Sequence, residues 1–170
     1  MQAEDNIQNE QGLSDDLEAK GVFIVEVLRD GKNGPEVLQR RVAPNLVVNV
    51  GKKRLWRIAS GIVTTHQFDQ MRIGTSGVAA NSGQTNVISA VTGTINTVDS
   101  KTLLSGTRTM QWVISYPSGA STKSATNIRE VVLLDTNTSP GGSALSRSTF
   151  TAVNKTTADK LRITYRARVT

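Results

Sequence analysis

Residues 160–169, KLRITYRARV, decide the fold class of this 170-residue chain, because apolar side chains alternate along them with charged or polar ones. This period of two is typical of a half-buried β-strand, whose successive side chains point to opposite faces of a sheet. One face carries Leu161, Ile163, Tyr165, Ala167 and Val169. The other carries Lys160, Arg162, Thr164, Arg166 and Arg168. The pattern predicts a strand that packs against a core and presents a basic face.

Other stretches have the same strand-like character. Residues 108–116 alternate cleanly and place on one face Met110, Trp112, Ile114 and Tyr116. Strands are also predicted at residues 21–29, 37–42, 46–48, 68–73, 128–134 and 145–153, with an edge strand or two short strands within 87–98. Asp30-Gly31 is a hairpin turn signal. About eight strands separated by turns favour an all-β antiparallel β-sandwich or jelly roll, and a closed barrel is the structural alternative.

One short α-helix is predicted near residues 50–60. Its apolar positions recur at i, i+3, i+4 and i+7 and therefore form one stripe; they are Leu55, Ile58, Ala59 and Ile62. The basic residues of the segment fall mostly off that stripe and are predicted to face water; they are Lys52, Lys53, Arg54 and Arg57. Asn49 is the predicted N-cap, and Gly61 is predicted to follow the last turn.

The first 20 residues differ in composition from the rest. Residues 1–19 contain no Lys or Arg and six acids, namely Glu4, Asp5, Glu10, Asp15, Asp16 and Glu18. Their few apolar residues cannot offset the entropy of ordering the segment alone. We therefore predict an extended arm at residues 1–20 and a β-sandwich domain at 21–170. The candidate anchors of the arm on a partner are Ile7, Leu13 and Leu17.

The remaining chain is strongly basic. Residues 20–170 hold all 20 Lys and Arg and 8 of the 14 acids, a net charge of +12. Such a charge predicts an anionic partner. The candidate contacts form two groups: Lys52, Lys53, Arg54 and Arg57 on the helix, and Arg162, Arg166 and Arg168 on the last strand. They fit phosphates, a solvated surface, or an acidic protein surface such as the arm of a neighbouring copy.

The aromatic residues bear on two further candidate functions, nucleic-acid binding and carbohydrate binding. Nucleic-acid binding is disfavoured, because aromatic side chains that could stack on bases are scarce. Trp56 and Trp112 are interpreted as core or interface anchors. A carbohydrate-binding sandwich would require one of them to be exposed.

The sequence does not favour an enzyme, a cofactor or a metal site. There is no cysteine, and His66 is the single histidine, interpreted as a surface loop residue. Most acids of the body stand beside turns, where carboxylates commonly cap backbone groups. Residues 74–77 lack the Lys-Ser/Thr that follows in a phosphate loop, and residues 74–86 are predicted to form one long loop. No apolar run approaches the roughly 20 residues of a membrane span, so no membrane partner is expected.

Residues 45–170 resemble small virion structural proteins of tailed bacteriophages. The resemblance rests on four features: the N-terminal arm, the Asn-Leu-Val-Val before the helix, the segment Ile73-Gly74-Thr75 with small residues up to Ala80, and the ending Phe150-x-x-Val153-x-Lys155-x-x-x-Asp159-x-Leu161-x-Ile163-x-Tyr165. The segment Ser76-Gly77-Val78 departs from the Gly-Thr-Thr-like step expected there.

The resemblance implies a non-enzymatic capsid decoration or cement protein that stabilises the shell through its β-domain and arm. Its implied partners are the major capsid protein or another virion protein, and a homo-oligomer, a dimer or trimer, is expected. The implied location is the virion, assembled in the host cytoplasm. The alternatives are a tail, neck or fibre-attachment protein and, from a different class, a basic nucleic-acid-binding module.

Overall fold

The computed structural model describes residues 19–62, 67–118, 125–135 and 143–169. These residues form ten strands and one helix. In chain order they are β1 (Ala19–Gly31), β2 (Gly34–Pro44), β3 (Leu46–Val47), α1 (Asn49–Ala59), β4 (Phe68–Gly74), β5 (Asn96–Thr97), β6 (Ser100–Leu104), β7 (Thr109–Tyr116), β8 (Ala125–Asp135), β9 (Ala144–Lys155) and β10 (Asp159–Val169).

The strands form two five-stranded antiparallel sheets. The first sheet has the order β2-β1-β10-β7-β6, and the second has the order β3-β9-β8-β4-β5. The prediction of an all-β antiparallel sandwich with one short helix is confirmed, and the described strands do not form one closed barrel. The sequence predicted no strand at β6. Residues 87–98, predicted to form an edge strand or two short ones, contain only the two residues of β5.

The last strand lies at the centre of the first sheet, between β1 and β7. Its apolar face is buried as predicted, since Leu161, Ile163 and Tyr165 have no exposed surface. β1 and β2 form the predicted hairpin, whose two-residue turn is Lys32-Asn33, just after the predicted Asp30-Gly31. β1 begins at Ala19, so its first two residues belong to the segment predicted as arm.

The main core lies between the two sheets. Both sheets contribute buried side chains to one apolar cluster. Trp112 Nε1 in the first sheet donates a hydrogen bond to the carbonyl oxygen of Phe68 in the second, at 2.8 Å. Phe23 and Tyr165 stack with their ring centroids 4.4 Å apart. Burial raises the pKa of the Tyr165 hydroxyl to about 12. The core interpretation of Trp112 is therefore confirmed.

A smaller cluster lies on the outer face of the second sheet, where α1 packs. Its buried members are Val48, Val132, Leu134 and Ala144. The helix approaches β9 closely through Gly51, where an added Cβ would lie 2.5 Å from the carbonyl oxygen of Leu145. α1 is the only helix in the described ranges, and it is not long and apolar enough to cross a membrane.

The predicted burial of the apolar stripe of the helix is largely wrong. Of the predicted apolar stripe only Ile58 is partly buried, whereas Leu55, Ala59 and Ile62 are exposed. Gly51, near the start of the helix, makes the close approach to the sheet, and Leu55 and Ile58 follow four and seven residues later on the same side. The predicted N-cap is also wrong, because Val48 occupies that position without a side-chain cap.

A backbone contact takes one of the donors at the start of the helix. The N–H of Asn49 donates to the carbonyl oxygen of Ser82, in a neighbouring loop, at 2.8 Å. The C-terminal prediction is confirmed, since Gly61 follows the helix with a φ of +72°, a conformation that favours glycine.

Candidate functional site

The outer face of the first sheet carries the predicted basic strand face. The side chains of Arg162, Arg166 and Arg168 are exposed there, on alternate residues of β10. Arg40 of β2 and Lys20 of β1 lie on the same face by register. We call this surface the arginine face. It follows directly from the alternation of β10, which turns each basic residue away from the core.

Glu26 lies at the centre of the arginine face. Its carboxylate accepts two hydrogen bonds from Arg162, at 3.0 and 2.8 Å, and lies 3.4 Å from Arg40 Nε. One acid is thus shared by two arginines. Arg166 instead donates to the neutral side chain of Gln111, at 2.8 Å. The centre of the face therefore keeps an excess of positive charge.

A shallow depression of about 370 Å³ opens on the arginine face. It runs across the first sheet from β2 to β7, and its polar lining includes Glu26, Arg40, Gln111 and Arg162.

At the far end of β10, Lys160 Nζ lies 2.8 Å from Asp30 of the hairpin. Exposed pairs of this kind contribute only about 0–1 kcal/mol each. They can exchange partners with an incoming acidic surface at little cost.

The second basic surface lies on α1. Lys52, Lys53 and Arg57 are exposed as predicted. Between them lie Trp56, with 58% of its surface exposed, and Leu55, with 39% exposed. We call these five residues the helix surface. It combines positive charge with apolar area, which the sequence did not predict, and Trp56 is not a core residue.

Arg54 does not belong to either exposed surface. The sequence placed it with the water-facing cations, but its side chain is largely buried and its Nε lies 3.2 Å from Asp135 Oδ2 at the end of β8. Asp135 also accepts a hydrogen bond from the Ser143 N–H at 2.7 Å. Arg54 lies one helical turn after Gly51, on the side that faces the sheet, and therefore fixes the helix to the second sheet. The prediction that Arg54 faces water is wrong.

The most buried charged pair is Glu130 with Arg147, on the outer face of the second sheet. Neither side chain has exposed surface, and Arg147 donates to Glu130 Oε2 from Nε at 3.0 Å and from Nη2 at 2.6 Å. Glu130 also accepts the backbone N–H groups of Ser76, Ile88 and Ser89, at 2.8 to 3.1 Å. The pair is the anchor of the loop between β4 and β5.

These contacts determine how Glu130 ionises. Burial by itself raises the pKa of the carboxyl group, but the N–H groups of Ile88 and Ser89, then Arg147 and the N–H of Ser76, outweigh it. The pKa of Glu130 is therefore lowered from its ordinary value. Arg147 completes its own bonding with Gln84 Oε1 at 2.9 Å and the carbonyl oxygen of Val78 at 3.0 Å. The hydrogen bonds of Glu130 and Arg147 thus all hold the loop between β4 and β5 on the second sheet.

Asp159 has a similar role in the turn between β9 and β10. Burial by itself raises the pKa of Asp159, but the hydroxyl and N–H of Thr156 and the guanidinium of Arg29 together outweigh it. The pKa of Asp159 is therefore lowered from its ordinary value. Arg29 Nε donates to Asp159 Oδ1 at 2.9 Å. Lys155 next to this turn is buried, which lowers the pKa of its amine. The contacts of Asp159 thus hold the connection between β9 and β10 against β1.

Some predicted residues cannot be placed. The arm residues Ile7, Leu13 and Leu17 and the histidine His66 lie outside the described residues. Within the described ranges, no three His, Asp or Glu side chains come together as metal ligands would. Of the two tryptophans, Trp56 alone meets the exposure that a carbohydrate-binding surface would require.

Sequence reasoning missed Glu130 and Arg147, although a sign of them was present. Glu130 stands directly before the apolar run at residues 131–134, and Arg147 stands among small and apolar residues at 144–149. A charged residue is rarely buried unless it is paired. That rule predicts a partner but does not identify it, because the two residues meet only when β8 pairs with β9. Comparison of the chain with protein-family models, curated proteins and solved structures found no match.

Proposed function

We propose that this chain is a non-enzymatic structural protein of a tailed-bacteriophage virion, of the capsid decoration or cement type. The observation that carries the proposal is the difference between the two outer sheet faces. The second sheet is covered by α1 and by the loop anchored on Glu130 and Arg147. The arginine face of the first sheet keeps Arg162, Arg166 and Arg168 exposed. One side of the sandwich is thus available for contact.

An assembly protein needs a rigid module with a surface that selects its partner. The sandwich supplies rigidity through a core shared by both sheets. The arginine face supplies charge, which steers association and fixes orientation on an acidic surface. We propose that this surface belongs to the major capsid protein or to another virion protein, and that the arm adds further contact area. The resemblance of residues 45–170 to virion proteins supports the same role.

A tail, neck or fibre-attachment protein is the alternative within this class. It needs the same rigid module and the same charged face, so the two roles differ in position on the virion. Gold-labelled antibody against the chain, viewed on intact particles, distinguishes them. Label over the capsid supports decoration, whereas label confined to the tail or neck overturns decoration in favour of attachment.

The proposal is tested by co-sedimentation of the purified chain with tailed-phage particles released from cells that carry its gene. We expect the chain to pellet with particles at low salt and to be released as salt screens the charges. The double variant R162E/R166E should lose this binding. The matched control is K32E/R108E, which changes the same charge at exposed turn residues away from the face centre and should still bind.

Three results would contradict the virion role or the part that the arginine face plays in it. If cells that carry the gene release no particles containing the chain, the virion role is wrong. If the chain binds duplex DNA at the same salt and R162E/R166E abolishes that binding, the arginine face belongs to a nucleic-acid-binding module instead. Equal co-sedimentation of R162E/R166E and the control would remove the arginine face from the proposal.

A further inference from the structure

The helix surface presents apolar area without any covering element among the described residues. Trp56 is 58% exposed and Leu55 is 39% exposed, and Ile62 just after the helix is 68% exposed. Residues three and four apart lie side by side on a helix. Lys52 and Lys53 therefore flank Trp56 on the preceding turn. The result is an apolar centre with a cationic border.

This surface has no acidic residue of its own. Residues 49–62 contain no Asp or Glu. The one carboxylate that reaches α1 within the described ranges, Asp135, is buried and holds Arg54 on the opposite side. The exposed cations of the helix are therefore not neutralised locally, in contrast to the arginine face, where Glu26 already bonds to Arg162 and lies near Arg40.

The acidic segment at residues 1–18 has the complementary composition. It contains six acids and no Lys or Arg. It also contains three large aliphatic residues spaced among those acids, Ile7, Leu13 and Leu17. Its acids match the cations of the helix surface, and its aliphatic side chains match Trp56 and Leu55.

The fold brings the C-terminal end of this segment, where it joins β1, close to the helix. β1 begins at Ala19, and two residues later the carbonyl oxygen of Gly21 accepts a hydrogen bond from the Asn45 N–H at 3.1 Å. Four residues after Asn45 the helix begins. The 11-residue helix is about 16 Å long, whereas an extended 18-residue segment reaches about 60 Å. The acidic segment can therefore reach the whole helix surface of its own chain.

We propose that residues 1–18 dock on the helix surface of the same chain, with their acids on Lys52, Lys53 and Arg57 and their aliphatic side chains on Trp56 and Leu55. A covalent tether favours the same chain over a neighbour, because it holds the segment at a high effective concentration. The docking describes the free chain, whereas the contact that the virion role gives the arm would be made on the assembled particle.

Trp56 is the natural probe of this docking, because the other tryptophan, Trp112, is buried. The experiment measures acrylamide quenching of tryptophan fluorescence in the full chain, and the W56F variant supplies the contribution of Trp112. Acrylamide is uncharged, so changes in surface charge do not bias its access. We expect Trp56 to be protected at low salt and quenched several-fold more strongly in 1 M salt. At that salt concentration the Debye length is about 3 Å, so the charge pairs that hold the segment are screened.

Two variants of the full chain place the contact. Replacing the six acids of residues 1–18 by their amides, or making K52E/K53E, should raise Trp56 quenching several-fold. The control K32E/R108E has the same charge change as K52E/K53E at distant exposed turns and should leave Trp56 protected. Far-ultraviolet circular dichroism confirms that each variant is folded, and the salt experiment needs no variant at all.

Two outcomes overturn the proposal. If Trp56 of the unmodified chain is quenched equally at low and high salt and equally in both variants, the segment does not cover the helix surface. If protection is lost on dilution, together with a fall in molar mass by light scattering, the cover comes from a second copy and not from the same chain. Protection that persists on dilution supports the proposal.

Discussion

Arg147 Nη2 lies 2.6 Å from Glu130 Oε2, and neither side chain has any exposed surface. Burying two charges costs free energy that their mutual attraction recovers only when their other hydrogen-bonding groups are also satisfied. Here the loop between β4 and β5 supplies those partners, from Ser76 to Ser89. The loop is therefore held on the second sheet largely by charge and hydrogen bonds.

Removing Arg147 should destabilise the fold strongly. The substitution Arg147→Met keeps much of the side-chain volume but leaves the Glu130 carboxylate buried without its cation, which costs about 3–5 kcal/mol of unfolding free energy. Urea denaturation measures this loss. The matched control Arg162→Met removes an exposed arginine whose partner Glu26 still lies near Arg40, and should cost about 0–1 kcal/mol. Equal losses in the two variants would contradict a structural role for the buried pair.

The same contacts predict loss of stability in acid. The pKa values of Glu130 and Asp159 are held below their ordinary values of 4.5 and 3.8. The unfolded chain therefore binds these protons first, and the stability that the two carboxylates contribute is present above those ordinary values. It is lost as the pH falls through the lowered values of the folded state.

Urea denaturation as a function of pH tests this effect directly. At neutral pH, E130Q should be less stable than the unmodified chain, because the amide cannot accept all the bonds of the carboxylate. The difference in unfolding free energy should narrow as the pH falls below 4.5, since the unmodified side chain is then also neutral when unfolded. A difference that stays constant down to the acid transition would show that Glu130 acts without its charge.

Much of the fold could be predicted from the sequence, because alternation reports directly which side of a strand is buried. β10 and β7 follow their patterns residue by residue, and the arginine face follows from β10 alone. The helix failed the same kind of reasoning. Its apolar stripe was real in the sequence, but the residue that approaches the sheet is Gly51, which carries no hydrophobic side chain.

The candidate surfaces were predicted in part, for a related reason. Sequence identifies cations but not their partners in space, and Arg54 and Arg57 look alike along the chain. The fold separates them, because Arg54 reaches Asp135 at the end of β8 whereas Arg57 faces solvent. Trp56 was likewise interpreted as a core or interface anchor, and only its 58% exposure in the structure excludes the core.

The close approach at Gly51 predicts a reversal of the usual helix propensity. Alanine normally stabilises a helix interior by about 1 kcal/mol relative to glycine. At Gly51, however, the new Cβ would lie 2.5 Å from the Leu145 carbonyl oxygen and 2.7 Å from that of Ala144. G51A should therefore lower the thermal midpoint. In the control G77A the Cβ meets only the Arg129 side chain, at 3.4 Å, so its midpoint should change little.

Arg54 and Arg57 provide a final comparison within one helix. Arg54→Met removes the guanidinium that lies 3.2 Å from the buried Asp135 carboxylate, and should cost about 1–3 kcal/mol of unfolding free energy. Arg57→Met removes an exposed cation from the helix surface and should stay within about 0.5 kcal/mol. Urea denaturation gives both values under the same conditions.

Acrylamide quenching of Trp56 gives a second comparison of the same two variants. Arg57 borders Trp56 on the helix surface, so Arg57→Met should increase acrylamide quenching of Trp56 while the fold keeps its stability. Arg54→Met should loosen α1 from the second sheet, because the ion pair with Asp135 is one of the contacts that fix it. If Arg54→Met left stability unchanged and Arg57→Met lowered it, Arg54 would not be the residue that fixes α1 to the second sheet.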